Sequence, residues 1–165
     1  MPDEKSLLRI TILHLIAILF VIFNVSDIRI AGFSSLIPLF DLMFVFYFGI
    51  FRKTFAVWFI FLLGIWNDSI NGNAVGTTAL CYILLVKFFQ VLNERMMIRE
   101  NFFQIWKQFT VFCFLFLLMK WLILSAFNGA AYSVITPLVQ LILSSTVYVV
   151  IHGFCGYLSA KLLEG

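Results

Sequence analysis

Long apolar runs alternate with short polar breaks along the chain, and the pattern predicts six membrane-spanning helices. They fall at about residues 7–23, 36–51, 54–66, 75–92, 102–127 and 134–160. Runs of this kind must be helical in hydrocarbon, because a helix satisfies each backbone N–H and C=O within its own segment. A bilayer core of ~30 Å asks for ~20 residues per span, so spans two and three are short and need local thinning or burial against neighbours. The breaks are chemically distinct. Asn24 to Ser35 is a polar loop with Asp27 and Arg29, and Arg52-Lys53 turns the chain at once. Asn93 to Asn101 is a charged loop, and Asn128 to Ser133 is a further turn.

The longest polar interruption is the stretch from Leu63 to Leu80, LGIWNDSINGNAVGTTAL. It predicts the tip of a hairpin between spans three and four. Gly64 and Asp68 are four apart and share a helix face, and Gly72 and Gly76 repeat that spacing. Small residues at such positions let two helix backbones approach closely. Asp68 lies toward the C-terminal end of its span, where the helix dipole disfavours an anion. It therefore needs a partner: N–H groups near Val75, the hydroxyls of Thr77 and Thr78, or a cation. Both a structural anchor of the hairpin and a contact for a partner or ligand fit that need.

Composition excludes whole classes. Of the 165 residues, 63% are hydrophobic and 12% charged, with a mean hydropathy of +1.07. Soluble domains carry roughly 45–50% apolar and about 25% charged residues, so lipid is the solvent here and the chain is a single integral membrane domain. The net charge is +3 with no basic stripe in a polar segment, which argues against nucleic acid as a partner. With the N-terminus inside, Lys5, Arg9, Arg52, Lys53, Lys87, Arg95, Arg99, Lys107 and Lys161 fall on the cytoplasmic side, against Arg29 and Lys120 on the other. That bias predicts a multi-pass membrane protein with both termini cytoplasmic. Trp58 and Trp106 then fall near the inner interface and Trp66 near the outer one. The first run is a retained span, since no small-residue cleavage site follows it.

Several further positions are candidates for structure or contact. Pro38 and Asp41 open span two, where proline suits a first helical turn and an acid faces the positive end of the dipole. Lys120 lies roughly 10 Å inside the end of span five; it snorkels outward or pairs with Asp41 or Asp68. Gly153, Gly156 and Ala160 form a small-residue face on span six, for close helix packing inside the fold or against a partner helix. His14 and His152 read as neutral residues bonded to neighbouring helices. Cys81, Cys113 and Cys155 read as small core residues rather than disulfides or metal ligands. No nucleophile–His–carboxylate set, HExxH or glycine-rich phosphate loop occurs, so no enzyme activity, metal or cofactor is expected. The hairpin has no second copy, which argues against an inverted-repeat transporter.

The order Pro38-x-x-Asp41, Arg52-Lys53, Leu63-Gly64-x-x-x-Asp68 and Gly72-x-x-x-Gly76-x-x-Ala79-Leu80 resembles the bacterial rod shape-determining protein MreD family. The likeness in length and span pattern covers nearly the whole chain. It implies a non-enzymatic component of the machinery that elongates the lateral cell wall. The implied direct partner is MreC, in a wider complex with MreB, a SEDS-family glycan polymerase and a class B penicillin-binding transpeptidase, all in contact with membrane lipid. It also implies an all-α polytopic fold similar to the S-components of energy-coupling-factor transporters, with an outward cavity near residues 64–76. That likeness supplies the alternative, a substrate-binding component for small-molecule uptake. S-components couple through Ala-x-x-x-Ala on the first span. Here Ala17 has Leu13 and Val21 at those spacings, which counts against a transporter.

Overall fold

The computed structural model describes residues 4–25, 38–96, 101–128 and 134–164. Helix α1 is Glu4–Val25; α2 is Phe40–Phe44 and runs on into a π-helical segment, Val45–Phe51. Helices α3 (Val57–Asn71), α4 (Thr77–Met96), α5 (Phe102–Asn128) and α6 (Ile135–Ser159) follow, and α6 ends in a π-helical turn, Ala160–Glu164. The described fold is thus all-helical, with six helices. The stretches Phe102–Ala126 and Ile135–Leu162 are long and apolar enough to cross a membrane; Leu8–Ile22, Phe40–Phe51 and Thr77–Asn93 are shorter apolar helices. Large apolar side chains cover the outside, with Trp58, Ile135 and Val150 all more than three-fifths exposed. Only a lipid surround makes such a surface stable.

Helix α3 runs five residues beyond the boundary expected at Trp66. The polar residues there find partners within the turn. Ser69 Oγ donates to the Ile65 carbonyl at 2.9 Å, and Asn71 Nδ2 donates to Asn67 O at 2.9 Å. The helix stops at Gly72, whose φ of +65° is the left-handed conformation that glycine adopts without a Cβ clash. Residues Asn93 to Met96, expected in a loop, continue α4. The loop bearing Asp27 and Arg29, the expected start of span two at residues 36–37, the middle of the charged loop at 97–100 and the turn at 129–133 lie outside the described residues.

Helix α2 forms the axis of the bundle. Residues 41–50 are all buried, and a helix that is apolar all round belongs in a core. Around it α1 packs on α3, α3 on α4, α4 on α5, α5 on α6, and the last turn of α6 on α1. Five helices thus enclose a sixth, which explains why a span too short for a bilayer suffices there. Lipid tails are as apolar as leucine, so shape and dispersion hold such a bundle together rather than escape from water. Aromatic rings supply the contacts: Phe46 sits edge-on to Phe109 and Tyr148, Phe44 stacks on Phe20, and Phe109 stacks on Tyr148 at 3.9 Å between centroids. The π-helical geometry leaves carbonyls without their usual partners. Gln90 Nε2 of α4 donates to Gly49 O at 2.8 Å, and the N–H groups of Thr54 and Phe55 both turn back to Phe48 O.

Candidate functional site

Near one end of the bundle, which also carries Gly72, Gly76, Asn128 and Ile135, α2, α3 and α4 meet through buried polar groups. Asp41, in the first turn of α2, is 3% exposed. Its Oδ2 accepts from Asn67 Nδ2 of α3 at 2.6 Å and from the Tyr82 hydroxyl of α4 at 2.5 Å. Asp68, one residue further along α3, is fully buried. Its Oδ2 accepts from the backbone N–H groups of Gly76 at 3.0 Å and Thr78 at 2.8 Å. These are N–H groups at the start of α4, which have no partner within their own helix. The carboxylate thus caps α4 from the neighbouring helix and meets the positive end of that dipole. Of the partners expected for Asp68, the N–H groups are the ones the fold provides.

The glycines differ in what they do. A Cβ on Gly64 would lie 2.3 Å from Ala79 Cα and 2.6 Å from Ala79 N, so here the backbones of α3 and α4 touch. Gly72 and Gly76 have nothing within 4 Å of a Cβ position, and their φ values are +65° and +99°. The close-packing role expected for all three therefore holds at Gly64 alone. The other two shape the turn, and Gly76 also presents its N–H to Asp68.

Other expected positions are placed as follows. Pro38 lies before α2 rather than in its first turn; Leu39 is the N-cap residue, and its N–H donates to Ser144 Oγ of α6 at 3.1 Å. Lys120 does not pair with Asp68. Its ammonium lies 5.8 Å from the Phe116 ring centre. Gly153 has open space at its Cβ position and Ala160 is exposed, while a Cβ on Gly156 would lie 3.8 Å from the Tyr47 hydroxyl. Packing inside the fold is thus absent at Gly153, which looks outward with Ala160, and present at Gly156. His14 and His152 bond within their own helices, to Ile10 O at 2.7 Å and to the Tyr148 hydroxyl at 3.3 Å. Their rings reach neighbouring helices through T-shaped contacts, His14 with Phe59 and His152 with Phe102. Trp106, expected at an interface, ties α5 to α6 through Nε1 to Ser145 O at 2.9 Å. Cys81, Cys113 and Cys155 are buried free thiols.

Asn67 and Tyr82 are members of these networks that the motifs do not pick out. Each is a polar group inside an apolar helix, and that placement alone marks it, because an unpartnered polar group in hydrocarbon costs several kcal/mol.

Fold and cluster together define a polytopic α-helical membrane protein whose buried polar groups clamp its helices to one another. The family model for the rod shape-determining protein MreD matches residues 4–158, and the chain belongs to that family. The family consists of non-enzymatic membrane proteins that determine cell shape. No curated protein and no solved structure matches the chain.

Proposed function

We propose that this protein is an inner-membrane scaffold of the cell-wall elongation complex. It binds MreC directly and, through it, joins MreB, the SEDS glycan polymerase and the class B penicillin-binding transpeptidase. The family match over residues 4–158 carries the reading. The clamp supports it. Asp41 and Asp68 each give one oxygen to hydrogen bonds that join helices, which makes a rigid platform rather than a reaction centre. Both termini are cytoplasmic in this reading. Arg9, Arg52, Lys53, Lys107 and Lys161 lie toward the bundle end opposite Gly72, the placement that the positive-inside rule favours for a cytoplasmic face.

The uptake alternative is disfavoured by α1. Leu13, Ala17 and Val21 are each no more than 1% exposed, so the face that would carry a coupling motif is committed to the core. Likeness to S-components enters this reading as architecture alone. A tagged chain expressed with MreC tests the proposal. MreC should co-purify in mild detergent, and depletion of the chain should round the cells. Gly153→Leu, on the outward small-residue face, should lower MreC recovery without altering the lone protein's melting temperature. Failure to retain MreC, together with unchanged cell shape on depletion, would sink the scaffold reading.

A further inference from the structure

Helix α2 starts part-way along its neighbours. The Leu39 N–H bond to Ser144 Oγ fixes that start ~13 Å along α6 from Ile135. At that point a cavity of about 290 Å³ lies between α2, α5 and α6. Its polar lining is Lys120 of α5 with Thr136 and Gln140 of α6, and no carboxylate is among its lining residues. Lys120 is half-buried and makes no ion pair among the described residues. Asp41 accepts from Asn67 and Tyr82 and does not line the cavity. The side chains of Thr136 and Gln140 make no hydrogen bond among the described residues. An ammonium held within a membrane protein is costly until it meets an anion.

A second cavity, about 150 Å³, adjoins the first along the α5–α6 seam. Leu117, Trp121 and Pro137 wall both. Its remaining lining is apolar, and Phe114, Leu118 and Leu138 are 45%, 42% and 49% exposed on the bundle surface. A donor-lined hollow therefore continues directly into a greasy surface groove.

We propose that this seam binds a phosphate-headed lipid. The phosphate sits against Lys120, Thr136 and Gln140, and one acyl chain runs over Leu118 and Leu138. Charge selects the headgroup: a cation and two neutral polar side chains, with no acid among them, suit an anion in a low-dielectric setting. Size selects the division of the ligand. Ligand pockets run ~300–1,000 Å³, so the first hollow takes a headgroup and leaves the chains to the groove. A soluble anion would leave the groove unused. The site stands apart from the scaffold reading; only the leaflet, outer by the proposed topology, rests on it.

The test is native mass spectrometry of the full chain in detergent, titrated with phosphatidylglycerol or with diacylglycerol of the same chains. Phosphatidylglycerol should remain bound at activation energies that strip diacylglycerol. Lys120→Met should weaken its retention roughly ten- to hundred-fold, the worth of a charge-assisted hydrogen bond, and Lys120→Arg should restore most of it. Lys107→Met, at the opposite end of the bundle, should leave it unchanged. Leu138→Trp, which fills the groove and keeps the lysine, should also weaken binding, and it serves if Lys120→Met does not fold. Equal retention of the two lipids by the parent, or undiminished binding by both variants, would overturn the proposal. Displacement of the lipid by millimolar inorganic phosphate would show a site for free anions and would overturn it too.

Discussion

Replacing Gly64 with alanine sets two effects of opposite sign against each other. In a helix interior alanine is favoured over glycine by ~1 kcal/mol, so a glycine with free space around it should gain stability on substitution. Gly64 has no free space. The added carbon would stand 2.3 Å from Ala79 Cα, 2.6 Å from its nitrogen and 2.8 Å from its Cβ. Two of these are backbone atoms, which cannot turn aside as a side chain can. Reaching ordinary contact from 2.3 Å requires α3 and α4 to separate by about 1 Å. Overpacking of this kind costs ~1–3 kcal/mol. The same separation would stretch the 2.8 and 3.0 Å bonds from Thr78 and Gly76 to Asp68 beyond hydrogen-bond range. Each bond to a charged group adds ~1.5–3 kcal/mol when lost. Gly64→Ala should therefore destabilise by ~3 kcal/mol or more, several times the propensity gain. Gly153→Ala is the matched control, because its Cβ position in α6 is open. It should be neutral or stabilising by up to ~1 kcal/mol. Thermal unfolding of both variants in one detergent, followed by tryptophan fluorescence, reads the difference. A Gly64→Ala protein as stable as the parent would show that α3 and α4 do not touch at Ala79. Adding Ala79→Gly should recover little, since the α-carbon and nitrogen remain in the way.

Tyr82→Phe removes a donor to Asp41 Oδ2 and should cost ~1–3 kcal/mol; an unchanged melting temperature would mean that the Tyr82 bond does not hold the clamp. Asp68→Ala should be worse than Asp68→Asn in yield of monodisperse protein, because asparagine keeps an oxygen for the Gly76 and Thr78 N–H groups; equal losses would argue against the cap. Gly76→Ala should cost ~1–3 kcal/mol from backbone strain at φ +99°, and Gly76→Leu hardly more, since the space beyond is open; a much larger leucine penalty would restore a packing role. Reporter fusions at Asn71 should be external, and fusions after Arg52 and Glu164 cytoplasmic; an external reporter after Glu164 would reject the six-span topology.

The helices were legible because hydrocarbon leaves a chain few alternatives, and each apolar run had to become a helix. Their ends were less so. Hydropathy drops at Trp66, yet α3 continues to Asn71, because Ser69 and Asn71 bond back onto their own turn and Gly72 supplies the stop. A hydropathy window sees the polar character of these side chains and not their partners. Asp68 was legible as a residue in need, since a carboxylate at the end of a span opposes the dipole. Its partner was legible only as a set of alternatives, because the choice depends on how α4 folds back. The reading of Gly76 failed for a related reason. Glycines four apart look alike on a helical wheel, but Gly72 and Gly76 are not in a helix, and spacing has no packing meaning in a turn.

The central place of α2 and the position of the clamp have one cause. From Leu42 to Phe51 span two carries no charged, amide or small hydroxyl side chain, and a helix with no such polar face can be surrounded by neighbours on every side. Enclosure by five helices leaves its start inside the bundle, where Leu39 N–H and the Asp41 carboxylate are cut off from water. Leu39 takes Ser144 from α6, and Asp41 takes Asn67 and Tyr82 from α3 and α4. The buried helix start thus demands donors and acceptors from the surrounding ring, and those bonds set the depth at which it sits. The same shortness leaves the hollow above Leu39 into which Lys120 faces. Lengthening α2 at its start by a turn of apolar residues should fill that hollow, release Ser144 and abolish lipid retention, whereas an equal insertion after Arg52 should leave the hollow and its lipid in place.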